Sequence, residues 1–557
     1  MGRCRAQAAS RRMSGALPPL LRSPPFPWVK PATAAVSTQC PLAPAAPDPA
    51  RVASLIGAIR KARVGGAFWL PPADPLPSGT LLVHATGEEQ AHRLLARAGR
   101  GSDVALCAPP GAKSWDVPVA RILPNAVDPW SLLRPGITLA SEDEEWRLIA
   151  RIAGAAIAGD PPSETALADA LLGRVAYRDP FTRKAANAED AVALLDQWRA
   201  RFDAHRAIGA CAGMAWWKKD RIGQFLWAGR DRPLAFADDA KSGVAAAAAS
   251  GGALAVWPSR VTPALLAEAD AAGVPIVRIE DGFIRSVGLG ANLLPPFSIV
   301  ADAGGLYYDP GPESDLERLL QTADMTPDLL ARADRLARLI VARGISKYGS
   351  APPAPAPPRT RRTVLVTGQV EDDLSVRKAG GDVAGNLDLL RRARAAEPDA
   401  LILFKPHPDV DAGHRVGRVA DADALAFADQ VVRSEATQSL LARVDAVHVL
   451  TSLVGFEALM RGLETHVHGS PFYAGWGLTH DHGPPLPRRT RTRTIAELVA
   501  ATLILYPLYQ DPVTGLPCSP EILLDRFAAG WKPKPSPIVF ARRLQGRIYK
   551  LFGRATS

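Results

Sequence analysis

Hydrophobic positions in the second half of the chain switch repeatedly between two patterns. Short apolar runs bounded by turn residues read as buried strands: "ALAVW" (253–257), "VPIVRIE" (274–280), "TVLVTG" (363–368), "ALILFK" (400–405) and "AVHVLTS" (446–452). Segments with apolar residues at helical spacing lie among them: "TPALLAEADAAG" (262–273), "NLDLLRRARAA" (386–396), "QSLLARV" (438–444) and "LVGFEALMRG" (453–462). Alternating strand and helix is the unit of a parallel sheet, so the fold class is α/β. The run "APPAPAPPRTRR" (351–362) interrupts the alternation and reads as a semi-rigid linker. Two Rossmann-type halves joined by a linker predict a cleft. Ligands of open parallel sheets bind at the carboxyl ends of the strands.

The chain also repeats itself. "AYRDPFTRKA" (176–185) and "LYQDPVTGLP" (508–517) share Tyr, Asp, Pro and Thr in the same order. Upstream, "PWSLLRPGITLAS" (129–141) resembles "TQSLLARVDAVHVLTS" (437–452), and "GTLLVHATGEEQAHRLLARA" (79–98) resembles the segment from 362 to 396. "DVALCAPPGA" (103–112) falls where "ALILFKPHPDVDAG" (400–413) falls, and four matches in one order indicate a duplication. The early copy has "CAPP" where the late copy has "KPHP", and it lacks the late copy's Gln369 and Glu371. It keeps scaffold residues and loses polar ones. The expected organisation is a disordered basic leader over 1–50, a degenerate partial module over 51–205, an active module in two halves (206–350 and 363–530) about the 351–362 linker, and a basic amphipathic tail over 531–557. Met13 is an alternative start.

Charge changes the picture little. The formal net charge is +10, but residues 1–47 carry six basic residues and no acid, and residues 531–557 carry seven and no acid. Setting those aside leaves 53 basic against 56 acidic residues, so the body offers no basic groove for nucleic acid. Five scattered cysteines have no CxxC spacing, and no apolar run reaches the ~18 residues of a membrane span.

The residues just after the strands are unusually polar. Glu280 and Asp281 follow "VPIVRI"; Gln369 and Glu371 follow "TVLVTG"; Lys405 and His407 follow "LILF"; Thr451 and Ser452 follow "AVHVL" at a helix start. Singly, each is explained by a cap, a turn or a surface charge. Together, the helix start with Lys405 and His407 suits a phosphate or carboxylate, and the acidic pair at a tight turn suits a nucleophile or base. No Walker-type loop and no clear metal-ligand cluster is present, so neither a cofactor nor a metal is expected.

Four segments resemble the KpsC family of bacterial capsular-polysaccharide β-Kdo transferases: "RIEDGFIRSVGLGANLLPPFSIVADAGGLYYDPGPESDLERLL" (278–320), "GQVEDDLSV" (368–376), "KPHPD" (405–409) and "TSLVGFEALMRGLETHVHGSPFYAGWGLTHD" (451–481). The resemblance covers roughly residues 206–530. It implies a GT-B-like transferase with CMP-Kdo as donor, a lipid-linked Kdo oligosaccharide as acceptor, and retention by double displacement. By that resemblance Asp281 is the nucleophile, with Glu280 the alternative, and Glu371 the acid/base. Gln369, Lys405, His407, Thr451 and Ser452 contact the donor, Glu457 the ribose and Arg285 the sugar carboxylate. The setting it implies is the cytoplasmic face of the inner membrane, with capsule assembly and export machinery as partners. Phe540, Leu544, Ile548 and Leu551 share one helical face ringed by basic residues, which suits either a helix packed on the body or an amphipathic anchor on anionic lipid. Two rivals remain: a catalytically silent export component, and a transferase for another CMP-activated acidic sugar.

Overall fold

A computed structural model describes residues 18–40, 48–99, 103–229, 233–284, 296–346, 349–350 and 361–531. They fall into two compact units, Met1–Arg206 with Leu226–Pro233, and Ala207–Phe225 with Leu234–Ser557. Arg285, most of the expected linker and the basic tail after Trp531 lie outside the described residues.

In the first unit, β1 (Ser37–Gln39) precedes five parallel strands: β2 (Leu81–His84), β3 (Val104–Ala108), β4 (Arg121–Pro124), β5 (Thr138–Ser141) and β6 (Ala156–Ile157). Their order is β4-β3-β2-β5-β6. Leu82, Val83, Leu106 and Leu139 are fully buried, as strands covered on both faces require. Helix Glu144–Ala153 returns from β5 to β6. Asp143 caps its start by accepting the Trp146 N–H at 3.1 Å, and Gly154 ends it at φ 84°. β7 (Val175–Arg178) then pairs antiparallel with β1, Ser37 opposite Tyr177, and β8 (Ala185–Ala186) pairs antiparallel with β7.

That pairing corrects the expectation of a disordered leader for residues 18–40. Leu20, Leu21, Phe26 and Val36 are buried, and the Phe26 ring lies 5.1 Å from Trp198 in edge-to-face contact. Prolines break up helical periodicity here, but they do not stop the apolar residues between them from packing.

The second unit holds two larger sheets. The first contains β9 (Ile208–Ala212), β10 (Ala235–Ala237), β11 (Ala253–Val256), β12 (Ile276–Asp281) and β13 (Ser298–Asp302). A small ladder of β14 (Ile345–Ser346) and β15 (Gly349–Ser350) follows. The second sheet is wholly parallel: β16 (Thr363–Thr367), β17 (Leu401–Lys405), β18 (Gln430–Val431), β19 (Ala446–Val449), β20 (Glu464–Val467) and β21 (His480–Asp481). Its order β18-β17-β16-β19-β20-β21 is the doubly wound dinucleotide-fold order, and its first five strands repeat the order of the first unit's sheet. The chain then crosses back. β22 (Leu508–Gln510) and β23 (Pro517–Cys518) complete the first sheet as β10-β9-β11-β12-β13-β22-β23.

The repeated residues build one device twice. Tyr177 donates its hydroxyl to Leu171 O at 2.7 Å, and Tyr509 donates to Leu503 O at 2.8 Å. Each acceptor lies in a π-helical turn, Asp169–Gly173 and Ala500–Leu505. Asp179 then accepts from the Thr182 hydroxyl at 2.9 Å, and Asp511 from the Thr514 hydroxyl at 2.8 Å. The repeat therefore encodes a brace and a turn, both structural.

An apolar core joins the two sheets of the second unit, with Phe283, Leu316 and Ile340 packed among Phe456, Trp476 and Leu498. Polar ties cross it. Glu317 receives Arg488 at 2.7 Å and Arg489 at 3.2 Å, and Arg489 also donates to Pro471 O and Ala474 O at 2.6 and 2.7 Å. Asp302 of β13 accepts the Tyr506 hydroxyl at 2.7 Å and the Gly305 N–H at 2.8 Å. Burial lowers the Arg489 pKa, while Glu317 pulls it back up. Removing the carboxylate leaves a buried guanidinium unpaired. Glu317→Ala is therefore expected to cost about 3–5 kcal/mol, and Arg488→Ala, at the exposed partner, under ~1 kcal/mol. Urea denaturation of the two variants checks this, and equal losses would refute the assignment.

Candidate functional site

In the first sheet of the second unit the strand order reverses between β9 and β11, which makes a crevice at their carboxyl ends. A cavity of about 620 Å³ opens there, lined by Gly213 and Met214 after β9, Asp238 after β10, Trp257 and Arg260 after β11, and Lys218. Lys218 sits on helix Trp216–Phe225, nearly buried. Its ammonium lies 3.4 Å from the centre of the Trp257 ring and 3.3 Å from Asp281 Oδ1. The aromatic face and the carboxylate together make burial of that charge tolerable.

Glu280 and Asp281 are not a pair of carboxylates at a turn. Both lie within β12, opposite Val300 and Ile299 of β13. Successive strand residues point to opposite faces. Asp281 meets Lys218, whereas Glu280 is near Tyr308. The Tyr308 hydroxyl is buried and has no hydrogen-bond partner among the described residues. Burial first, then the charges of Glu280, Asp373 and Asp309, push its phenol far above the ordinary value. Asp373 belongs to the loop after β16, so charges from both sheets act on this hydroxyl.

The second sheet has its own switch point, between β16 and β19. Gln369 bridges it. Its amide donates to Thr451 Oγ1 at 2.9 Å and accepts the Thr451 N–H at 2.8 Å. Asn386 locks the same loop, accepting Gln369 N–H at 2.8 Å and donating to Gln369 O at 2.8 Å. Glu371 accepts the Asn386 N–H at 2.7 Å, at the start of helix Asn386–Ala396, where the helix dipole favours a carboxylate. Gly385 beside it has φ 138°, a backbone conformation that favours glycine, and a Cβ there would also crowd Glu371 Oε1 at 2.5 Å.

The remaining expected donor contacts are also tied into the fold. Lys405 is buried at the end of β17 and donates to Glu435 O at 2.7 Å; burial lowers its pKa, opposed by Glu435 and Asp411. His407 caps the turn Pro408–Asp411, its Nδ1 accepting the Asp409 N–H at 3.2 Å, which assigns the neutral ring's proton to Nε2. Ser452 caps Leu453–Leu459 through its hydroxyl, and Glu457 inside that helix accepts from Gln438 at 3.2 Å. Sequence reasoning missed Lys218, Tyr308 and a second cavity of about 330 Å³, lined from both sheets by Asp309, Lys378, Ser470 and Arg488. Lys378 pairs with Asp309 there at 3.1 Å.

A separate polar cluster lies at the β19-β20-β21 edge. His448, His466 and His480 are in-register neighbours on the three strands. Their rings stack at 4.3 Å and 4.6 Å. His468 and His482 extend the array. Burial, reinforced by the neighbouring imidazoles, pushes His448 down to about 2 and His468 down to about 4.

Among the described residues no helix is long and apolar enough to cross a membrane. A family model described as capsule polysaccharide biosynthesis protein matches residues 252–349 and 338–509. The capsule polysaccharide modification protein LipA of Neisseria meningitidis is 38% identical over 339 residues, 61% of this chain and 48% of that protein. The lipopolysaccharide-processing protein LpsZ of Rhizobium meliloti is 44% identical over 241 residues, 42% of this chain and 54% of that protein. The chain thus spans about half the length of these curated relatives. The solved structure of the Thermosulfurimonas dismutans KpsC β-Kdo 2,4 transferase is 31% identical with a TM-score of 0.51, covering 58% of this chain and 99% of that one. With that whole transferase chain matched by this one, the protein belongs to the KpsC-like family of capsule polysaccharide proteins.

Proposed function

We propose that this chain is a glycosyltransferase of capsule polysaccharide biosynthesis that moves Kdo from CMP-Kdo to a lipid-linked Kdo oligosaccharide with retention of configuration. The observation that carries this reading is the match to the full length of a β-Kdo transferase chain at 31% identity. Two doubly wound sheets in one unit, each with polar residues at its switch point, support it.

In this reading Asp281 attacks the anomeric carbon and Lys218 holds its carboxylate in position. Glu280, on the other face of β12, serves a different surface, so only one of the two meets the sugar. Glu371, which also accepts the Asn386 N–H, is the acid/base. His407 Nε2–H and the Ser452 helix start meet the phosphate. Gln369, Thr451 and Lys405 hold those loops in shape, Glu457 takes the ribose, and Arg285 the sugar carboxylate. A CMP leaving group carries one phosphate, and these donors supply charge stabilisation without a cofactor. The first unit is a degenerate partial copy. The acceptor places the protein at the cytoplasmic face of the inner membrane, beside the assembly and export machinery.

The test is incubation of the full chain with CMP-Kdo or CMP-sialic acid and a Kdo-terminated lipid acceptor, read by mass. A product one Kdo heavier is expected from CMP-Kdo alone. Transfer of sialic acid would replace the donor, and a folded protein that transfers neither would support a silent export component. Asp281→Asn is expected to lower kcat on the order of a thousandfold or more. Lys218→Met should lower kcat more than it raises KM. Full turnover in Asp281→Asn with a deep loss in Glu280→Gln would move the nucleophile to the other face of the strand.

A further inference from the structure

The histidine array at the sheet edge takes no part in the proposed transfer. Its outermost members converge on one carboxylate. Glu464 Oε1 lies 2.9 Å from His466 Nε2 and 3.5 Å from His480 Nε2. One donor atom from each of the three residues falls within 4.8 Å of the others. Two ligands bound at ~2.1 Å with a tetrahedral angle lie about 3.4 Å apart, between the two distances observed.

We propose that Glu464, His466 and His480 form a site for a divalent first-row transition-metal ion, of the zinc type that imidazole ligands favour. The surroundings are those of a metal centre. The His466 Nδ1 hydrogen-bonds His482 Nε2 at 3.0 Å, which sets the ring's orientation while Nε2 faces Glu464. Arg362 binds Glu464 Oε2 at 2.8 Å and so turns Oε1 toward the histidines. Arg362 also binds Glu397 at 2.6 Å, so two carboxylates against one guanidinium leave net negative charge for a cation. Behind His466, the buried His448 Nε2 has no hydrogen-bond partner among the described residues and lies 3.9 Å from Glu397 Oε1. Glu397, His448 and His466 form a second overlapping ligand set. The His480 side chain is 60% exposed, which gives the ion an entry path and leaves coordination positions to water.

Such an ion ties β21, a strand of only two residues, to β20. Between those strands runs the loop that carries the buried Phe472, Tyr473 and Trp476. Its role is structural, and it stands whether or not the transferase reading holds.

The test uses the full chain without a polyhistidine tag, stripped with chelator and titrated with zinc chloride. One equivalent of bound zinc by elemental analysis and a raised melting temperature are expected. Cobalt(II) in place of zinc should give the visible absorption of a low-symmetry nitrogen/oxygen site. His480→Ala, at an exposed position that folding does not need, should weaken zinc binding at least tenfold, and Glu464→Gln should do likewise. His414→Ala, elsewhere on the surface, should bind as the parent does. No stoichiometric zinc uptake by the parent, or undiminished uptake by both the His480 and Glu464 variants, would overturn the proposal.

Discussion

The buried carboxylate of Glu317, held between Arg488 and Arg489, is the contact on which the geometry of the larger unit turns. The two sheets of that unit are separate hydrogen-bond networks, and the apolar surface between them is non-directional. A guanidinium that also donates to Pro471 O and Ala474 O can satisfy all its partners in only one relative placement of the sheets. The Tyr506 hydroxyl on Asp302 and the crossing of β22 onto β13 make the same demand from the other end. Opposed strand ends are useful for chemistry only if their separation is held, and these ties hold it.

Within that frame the strand ends divide their labour. At the switch point of the second sheet, Gln369 and Thr451 satisfy each other, Lys405 satisfies backbone carbonyls, and Glu371 caps a helix. Residues that looked like ligand contacts thus also pre-organise the loops, and pre-organised donors cost little to reorient when charge develops. In the first sheet the alternation of β12 separates two adjacent acids, one against a lysine and one against a tyrosine. A two-carboxylate mechanism therefore has to draw its second group from the opposite sheet.

Much of this was legible in the sequence. Apolar runs at 363–367, 401–405 and 446–449 became parallel strands because β-branched and leucine residues buried on both faces leave a continuous signal. The repeated Tyr, Asp and Thr announced a duplication, and long motifs announced the family. What was hidden shares one cause: it depends on neighbours distant along the chain. That Glu280 and Asp281 face apart follows from the strand extending to 281, into the expected turn. Lys218 gains meaning only from Trp257 and Asp281. The histidine cluster has no ligand spacing in sequence, since its members meet through the register of three strands. The folded segment at 18–40 was missed because its prolines mask apolar residues that pack without forming a helix.

The same comparison explains what the first unit retains. Its switch point lies between β2 and β5, where His84 and Ser141 are bonded at 3.1 Å and the Trp146 ring stacks on His84 at 4.3 Å. Burial lowers the His84 pKa, opposed by the charge of Asp143. β3 carries Cys107 just before its end, a thiol that burial pushes up to about 12, where the second sheet has Lys405. Glu142, Asp143, Glu144 and Glu145 follow β5, where Thr451 and Ser452 follow β19. Asp143 caps the following helix and Glu145 pairs with Arg22, and the neighbouring strand end carries no lysine. Sheet order and the Tyr–Asp turn recur in both units because packing alone rewards them, whereas the polar residues at the strand ends, which packing does not dictate, differ between the two.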